Sequence, residues 1–197
     1  MITILDYGAG NLRSVQNTLA EIGADYELVR DGAGLRRAAK IILPGVGHFG
    51  QMMRALDQMR VREALIERIQ ADVPFLGICL GLQALFQASE EAPEECGLGL
   101  FEGTNRRFSA EAKVPHMGWN EIQPRPGSKL LAGLAPHAYL YFAHSYYAPV
   151  NKATAAICSY TADYTAVLEC GSVYGVQFHP EKSGPLGLKI VRNFVEL

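Results

Sequence analysis

Val73-Pro74-Phe75-Leu76-Gly77-Ile78-Cys79-Leu80-Gly81-Leu82-Gln83 decides the fold. Its first six residues are nearly all apolar and read as a strand covered on both faces. Gly77-Ile78-Cys79-Leu80-Gly81 then turns the chain sharply into a helix, predicted over Leu80 to about Ala88. A strand that enters a helix through so tight a turn lifts one side chain above the sheet, and here that side chain is a thiol. The flanking glycines remove side chains that would crowd the turn. A helix N-terminus beside the sulfur supplies free N–H groups and positive potential, which favour the reactive thiolate. The alternative for Cys79 is a structural core cysteine, a common fate of this residue type.

Working outward, Ile2–Leu5, Tyr26–Val29 and Lys40–Leu43 are three more short apolar strands. Helical patterns separate them, one capped by Asn11 and stopped by Gly23, another over Met52–Ile69 in one or two pieces. Continuous apolar strands alternating with helices imply a parallel sheet covered on both faces. The second half reads differently. Leu98–Phe108, Trp119–Ile122, Ala138–Tyr147, Ala153–Tyr160, Thr165–Glu169 and Val173–Phe178 are strand-like and separated by turn residues, and Leu186–Val195 closes the chain as a helix. The expected architecture is a single domain over 1–197, of the three-layer α/β class. Its central, mainly parallel sheet is flanked by helices and carries an antiparallel extension.

Composition limits the function classes. The 197 residues carry a net charge of −2, and no basic tract appears, which argues against a nucleic-acid ligand. No apolar run reaches the roughly 18 residues of a membrane span. Met1-Ile2-Thr3-Ile4-Leu5-Asp6 lacks the positive start of a signal peptide, so a soluble, cytoplasmic chain is expected. Cys79, Cys96, Cys158 and Cys170 form no Cys-x-x-Cys pair and have no histidine at zinc-finger spacing. Neither a metal site nor a disulfide framework is expected.

A thiol nucleophile needs a base, and the base needs an orienting group. Gln177-Phe178-His179-Pro180-Glu181-Lys182 offers both. His179 follows a strand, and Glu181 lies two residues on, so in extended chain both point the same way. The alternative is an exposed turn with a capping carboxylate. Pro44-Gly45-Val46-Gly47 ends the third strand with a turn whose N–H groups can face a developing oxyanion. The Val46 and Leu80 amides are the expected donors. Gly45 lets the intervening peptide rotate at low cost, so the hole could be a switch. Trp119, the one tryptophan, lies between Gly118 and Asn120 and suits an interface anchor better than a core strand. His48, His116 and His137 read as structural residues.

Gly-Ile-Cys-Leu-Gly-Leu-Gln, followed about a hundred residues later by Gln-Phe-His-Pro-Glu, resembles the class I (triad) glutamine amidotransferases over nearly the whole chain. Four segments narrow the resemblance: Asp6–Asn11, Pro44–Gly50, Pro115–Asn120 and Phe142–Tyr147 are similar to the branch of glutaminase subunits of imidazole glycerol phosphate synthases. The resemblance implies hydrolysis of L-glutamine by Cys79, His179 and Glu181, without a cofactor. It implies that ammonia passes to a (β/α)₈-barrel cyclase subunit, which makes imidazole glycerol phosphate and aminoimidazole carboxamide ribonucleotide on the route to histidine. It further implies that Gln83, Glu91, His144, Ser145 and Tyr146 line the glutamine site, and that Asn11, Trp119, Tyr141 and Lys182 face the cyclase. The competing readings are an amidotransferase of another pathway and a non-catalytic interaction module.

Overall fold

Period-two alternation inside the short apolar strands assigns each side chain to one of two cores. Ile2, Ile4, Ile42, Leu76 and Ile78 point to one face of a sheet and pack with Val15, Leu19, Ile190, Val191 and Phe194. Leu5, Ile41, Leu43 and Phe75 point to the other face and pack with Leu35, Met52, Met53, Leu56, Leu65 and Ile69. The sheet is the middle layer and helices cover it on both sides.

The computed structural model describes residues 1–197. The first half alternates strand and helix: β1 (Ile2–Leu5), α1 (Leu12–Glu21), β2 (Tyr26–Val29), α2 (Gly32–Arg37), β3 (Ile41–Gly45), α3 (Phe49–Gln58), α4 (Arg62–Gln70) and β4 (Phe75–Cys79). A single helical turn, α5 (Leu80–Gln83), follows the cysteine. Then come β5 (Phe86–Ser89), β6 (Phe101–Arg107), β7 (His116–Pro124), β8 (Ala138–His144), β9 (Tyr146–Tyr147), β10 (Thr154–Ser159), β11 (Asp163–Cys170) and β12 (Val173–Val176). A 3-10 turn at Pro180–Lys182 leads into the closing α6 (Gly184–Glu196).

The nine-stranded sheet runs β2-β1-β3-β4-β12-β11-β10-β7-β8, and β5-β6-β9 form a small second sheet. From β2 to β12 the pairs are parallel. Beyond β12 they are antiparallel. The expected α/β class, parallel centre and antiparallel extension are all present.

Two local expectations fail. The helix after Cys79 does not reach Ala88: it ends at Gln83, and the chain turns into β5. The cause is non-local. Leu98 N–H donates to the Ala84 carbonyl at 2.7 Å, Leu100 N–H to that of Leu85 at 2.9 Å, and Gly97 N–H to that of Gln87 at 2.8 Å. Carbonyls that would continue a helix are taken by the returning segment. Secondly, His179 and Glu181 are joined by the 3-10 turn, not by extended chain. In addition, α2 has no clear sequence signal, because Gly32 and Gly34 mask a helix that Asp31 caps by accepting from Gly34 N–H at 2.7 Å.

Candidate active site

The register of β3 on β4 sets Gly45 opposite Cys79. Two parallel strands thus end side by side, and the turns that follow them, at Val46-Gly47 and Leu80, open into one cavity. That cavity has about 580 Å³ of space, open to solvent. Besides these turns it is lined by Cys79, Gln83, Glu91, the strand end Ala143-His144-Ser145-Tyr146, His179, and Pro115 and Met117.

The elbow is sterically forced. Cys79 has φ +54° and ψ −105°, a conformation that costs a non-glycine residue of order 1–3 kcal/mol. A Cβ on Gly77 would stand 2.4 Å from the Gly81 carbonyl oxygen, and one on Gly81 2.0 Å from that of Leu43. Only glycine fits at either place. A Cβ on Gly45 would likewise lie 2.7 Å from both Gly81 N and Leu80 Cβ. Gly45 is therefore needed for packing against the elbow, and Gly45→Ala does not isolate rotation of the turn.

His179 sits beyond β12, next to β4 in the sheet, and this adjacency carries it to the thiol. Its backbone N–H donates to the Tyr141 carbonyl at 2.8 Å, and its carbonyl accepts from Ser183 Oγ at 2.7 Å. Its Nδ1 lies 2.9 Å from Glu181 Oε1, with both side chains 3% exposed or less. Burial alone would push the imidazole down. The Cys79 sulfur and the Glu181 carboxylate outweigh that and hold it up at about 10. Glu181 Oε1 also accepts from Asn11 Nδ2 at 3.3 Å, while its Oε2 is buried without a partner.

Tyr146 organises one wall of the cavity. Its carbonyl accepts from Gln83 Nε2 at 2.7 Å and lies 2.8 Å from His144 Nδ1. A carbonyl only accepts, so His144 carries its proton on Nδ1 and offers Nε2 as an acceptor. His116 Nδ1, 3.3 Å from that Nε2, is then the donor. Burial pushes His144 down to about 3 and His116 to about 4, so both are neutral. Glu91 Oε2 accepts from Phe49 N–H at 2.7 Å, at the start of α3. Ser145 separates β8 from β9 at the cavity wall.

The four remaining candidates lie outside this cavity. Trp119 is 56% exposed, pairs with Tyr141 in the β7–β8 register and meets its ring edge-on at 6.1 Å. Lys182 Nζ stands 5.8 Å above the same ring. Met117 and Tyr139 extend this apolar surface on the same two strands. Asn11 is tied inward to Glu181, so it touches the site as well as the surface. Sequence reasoning misses Gln177, which is fully buried and donates to Cys79 Sγ at 3.5 Å. Its signal is a polar amide in an otherwise apolar strand end.

Comparison with known proteins agrees with this geometry. The family model "Glutamine amidotransferase class-I" matches residues 3–197. An "Imidazole glycerol phosphate synthase subunit HisH" of Methanothermobacter thermautotrophicus is 48% identical over all of this chain and 98% of that protein. One of the same name from Deinococcus radiodurans is 43% identical over 98% of this chain and 92% of that one. Among solved structures, a glutamine amidotransferase superposes with a TM-score of 0.77 at 18% identity, over 99% of this chain and 97% of that one, and shares the fold. The chain belongs to the class-I glutamine amidotransferase family, in the branch of the HisH subunits of imidazole glycerol phosphate synthase.

Proposed function

We propose that this chain is a single-domain cytoplasmic glutaminase that releases ammonia for the cyclase subunit of an imidazole glycerol phosphate synthase. The carrying observation is one open cavity that holds Cys79 on a strained elbow beside a buried His179–Glu181 pair.

The steps follow from the geometry. Cys79 Sγ, as thiolate, attacks the side-chain amide carbon of glutamine, and the C=O π electrons move onto oxygen. The amides of Val46 and Leu80, the residues that follow the paired Gly45 and Cys79, are the donors for that oxyanion. His179, held cationic by its neighbours, gives a proton to the departing nitrogen, and the C–N bond breaks to release ammonia. A water then loses a proton to His179 and attacks the thioester. The C–S bond breaks, leaving glutamate and a restored thiolate. Glu181 keeps the imidazole oriented and compensates its charge. Gln83, Glu91 and the His144-Ser145-Tyr146 backbone hold the substrate. No step needs a metal or an organic cofactor.

Trp119, Tyr141, Lys182 and Asn11 form the face that meets the cyclase. Ammonia released without an acceptor is lost to water, so a glutaminase of this kind works under its partner's control. The test is glutamate release by the chain alone, with the cyclase subunit, and with the cyclase's nucleotide ligand added. Release that rises sharply only in the liganded complex supports the reading. Full activity without the partner would refute the assignment to this synthase.

A further inference from the structure

A largely buried thiolate needs donors, and the short α5 supplies only one turn of helix beside Cys79. The side chains around the sulfur therefore matter more. Gln177 is 0% exposed, and its Nε2 donates to Cys79 Sγ at 3.5 Å, a normal length for a sulfur acceptor. An amide can face a sulfur with either end, so what fixes its direction decides its effect. The Tyr146 carbonyl can only accept. It obliges Gln83 to present Nε2, which it binds at 2.7 Å. The second hydrogen of that same nitrogen goes to Gln177 Oε1 at 3.1 Å. With its oxygen so occupied, Gln177 turns its N–H toward Cys79. The direction of both amides is thus dictated by one backbone carbonyl.

We propose that Gln177 is a catalytic donor that stabilises the Cys79 thiolate, and that Gln83 is the positioning residue that keeps Gln177 facing that way. This rests on Cys79 being the nucleophile. It also gives Gln83 a second role, because both its hydrogens are committed inside the protein and only its Oε1 remains for substrate. A glutamate at 177 would not serve, because an ionised carboxylate has no hydrogen to give and would oppose the thiolate's charge. Loss of the donor should leave the fold standing and weaken the anion.

The experiment is alkylation of Cys79 by iodoacetamide in the full-length chain, followed by mass spectrometry from pH 5 to pH 10. Gln177→Met keeps volume and removes the donor, and the midpoint of its alkylation profile should rise by about one pH unit, a tenfold slower reaction below both midpoints. Gln83→Met should move the midpoint the same way by less, since it frees the Gln177 amide to turn. Circular dichroism identifies any variant that has lost its fold; if Gln177→Met has, the decision passes to Gln83→Met. Midpoints within 0.3 pH unit of the wild type, taking about 0.4 kcal/mol as the least meaningful difference, would overturn the proposal. A wild-type midpoint for Cys79 as high as those of exposed Cys96 and Cys170 would overturn it together with the nucleophile reading.

Discussion

Glu181→Gln is the sharpest test of how the acid–base pair works. The substitution keeps size and removes charge. In the wild type, Glu181 Oε1 accepts from His179 Nδ1 at 2.9 Å and from Asn11 Nδ2 at 3.3 Å. A glutamine can keep its oxygen in that position and both bonds with it. Its NH₂ then occupies the place of Oε2, which is buried and has no hydrogen-bond partner. One unsatisfied buried atom thus replaces another. The cost falls on the bond from the imidazolium, which loses its charged acceptor, a loss of about 1.5–3 kcal/mol in the states where His179 is cationic. At about 1.4 kcal/mol per factor of ten, kcat for glutamate release should fall roughly 10- to 150-fold. His179→Ala removes the proton carrier itself and should cost about 10²- to 10⁴-fold. Steady-state glutamate release at saturating glutamine, in the complex with the cyclase subunit, measures both. Equal residual rates in the two variants, or an unaffected Glu181→Gln, would refute this division of labour.

Three further outcomes are expected. Cys79→Ala should abolish glutamine-dependent synthesis by the complex and leave ammonia-dependent synthesis intact; loss of both would make Cys79 structural. Gly81→Ala should cost more than about 3 kcal/mol in urea unfolding, because its Cβ would stand 2.0 Å from the Leu43 carbonyl oxygen of a central strand; a loss under about 1 kcal/mol would show that the elbow yields. The buried, neutral His116 and His144 stabilise the fold above about pH 6.5, and that contribution is lost as the pH falls through about 4 and about 3. Urea midpoints from pH 8 to pH 4 should therefore fall less steeply in His116→Gln. His179 has the opposite sign: its contribution is present below about pH 6.5 and lost as the pH rises through about 10.

The parallel half of the fold is legible in the sequence because its inner strands β1, β3 and β4 are largely apolar and buried on both faces. Ile2–Leu5 and Tyr26–Val29 have the bounds their runs predict. The elbow is legible because Gly-x-Cys-x-Gly is a steric requirement written locally. What fails depends on distant partners. Leu80–Ala88 has helical composition, yet Gly97, Leu98 and Leu100 capture its carbonyls. No local pattern reports a segment that returns ten to fifteen residues later. Ala138–Tyr147 reads as one strand, but Ser145 divides it, and the Tyr146 carbonyl beyond the break organises the cavity. Gln177 escapes notice for a related reason. Its use lies in which end of the amide faces the sulfur, and Gln83, 94 residues away, settles that.

The two halves of the site stand on different foundations, and this bears on control by a partner. Cys79 rides on β4, near the middle of the nine-stranded sheet, where neighbours on both sides fix it. His179 and Glu181 hang from the surface that carries the exposed aromatic residues. His179 N–H is bonded to the Tyr141 carbonyl, and Ser183 Oγ ties Tyr141 N–H to the His179 carbonyl. Tyr141 belongs to β8, the edge strand, and its ring lies against Trp119 and under Lys182. Asn11 links the start of α1 to the Glu181 carboxylate. A partner that presses on Trp119, Tyr141, Lys182 and Asn11 therefore acts on the imidazole and its carboxylate through one or two bonds, while the thiol stays fixed. Proton transfer requires hydrogen-bond contact, so small shifts of His179 relative to a stationary sulfur change the rate steeply. With the proposed docking of the cyclase on this face, control would fall on the acid–base pair, to which the face is hydrogen-bonded.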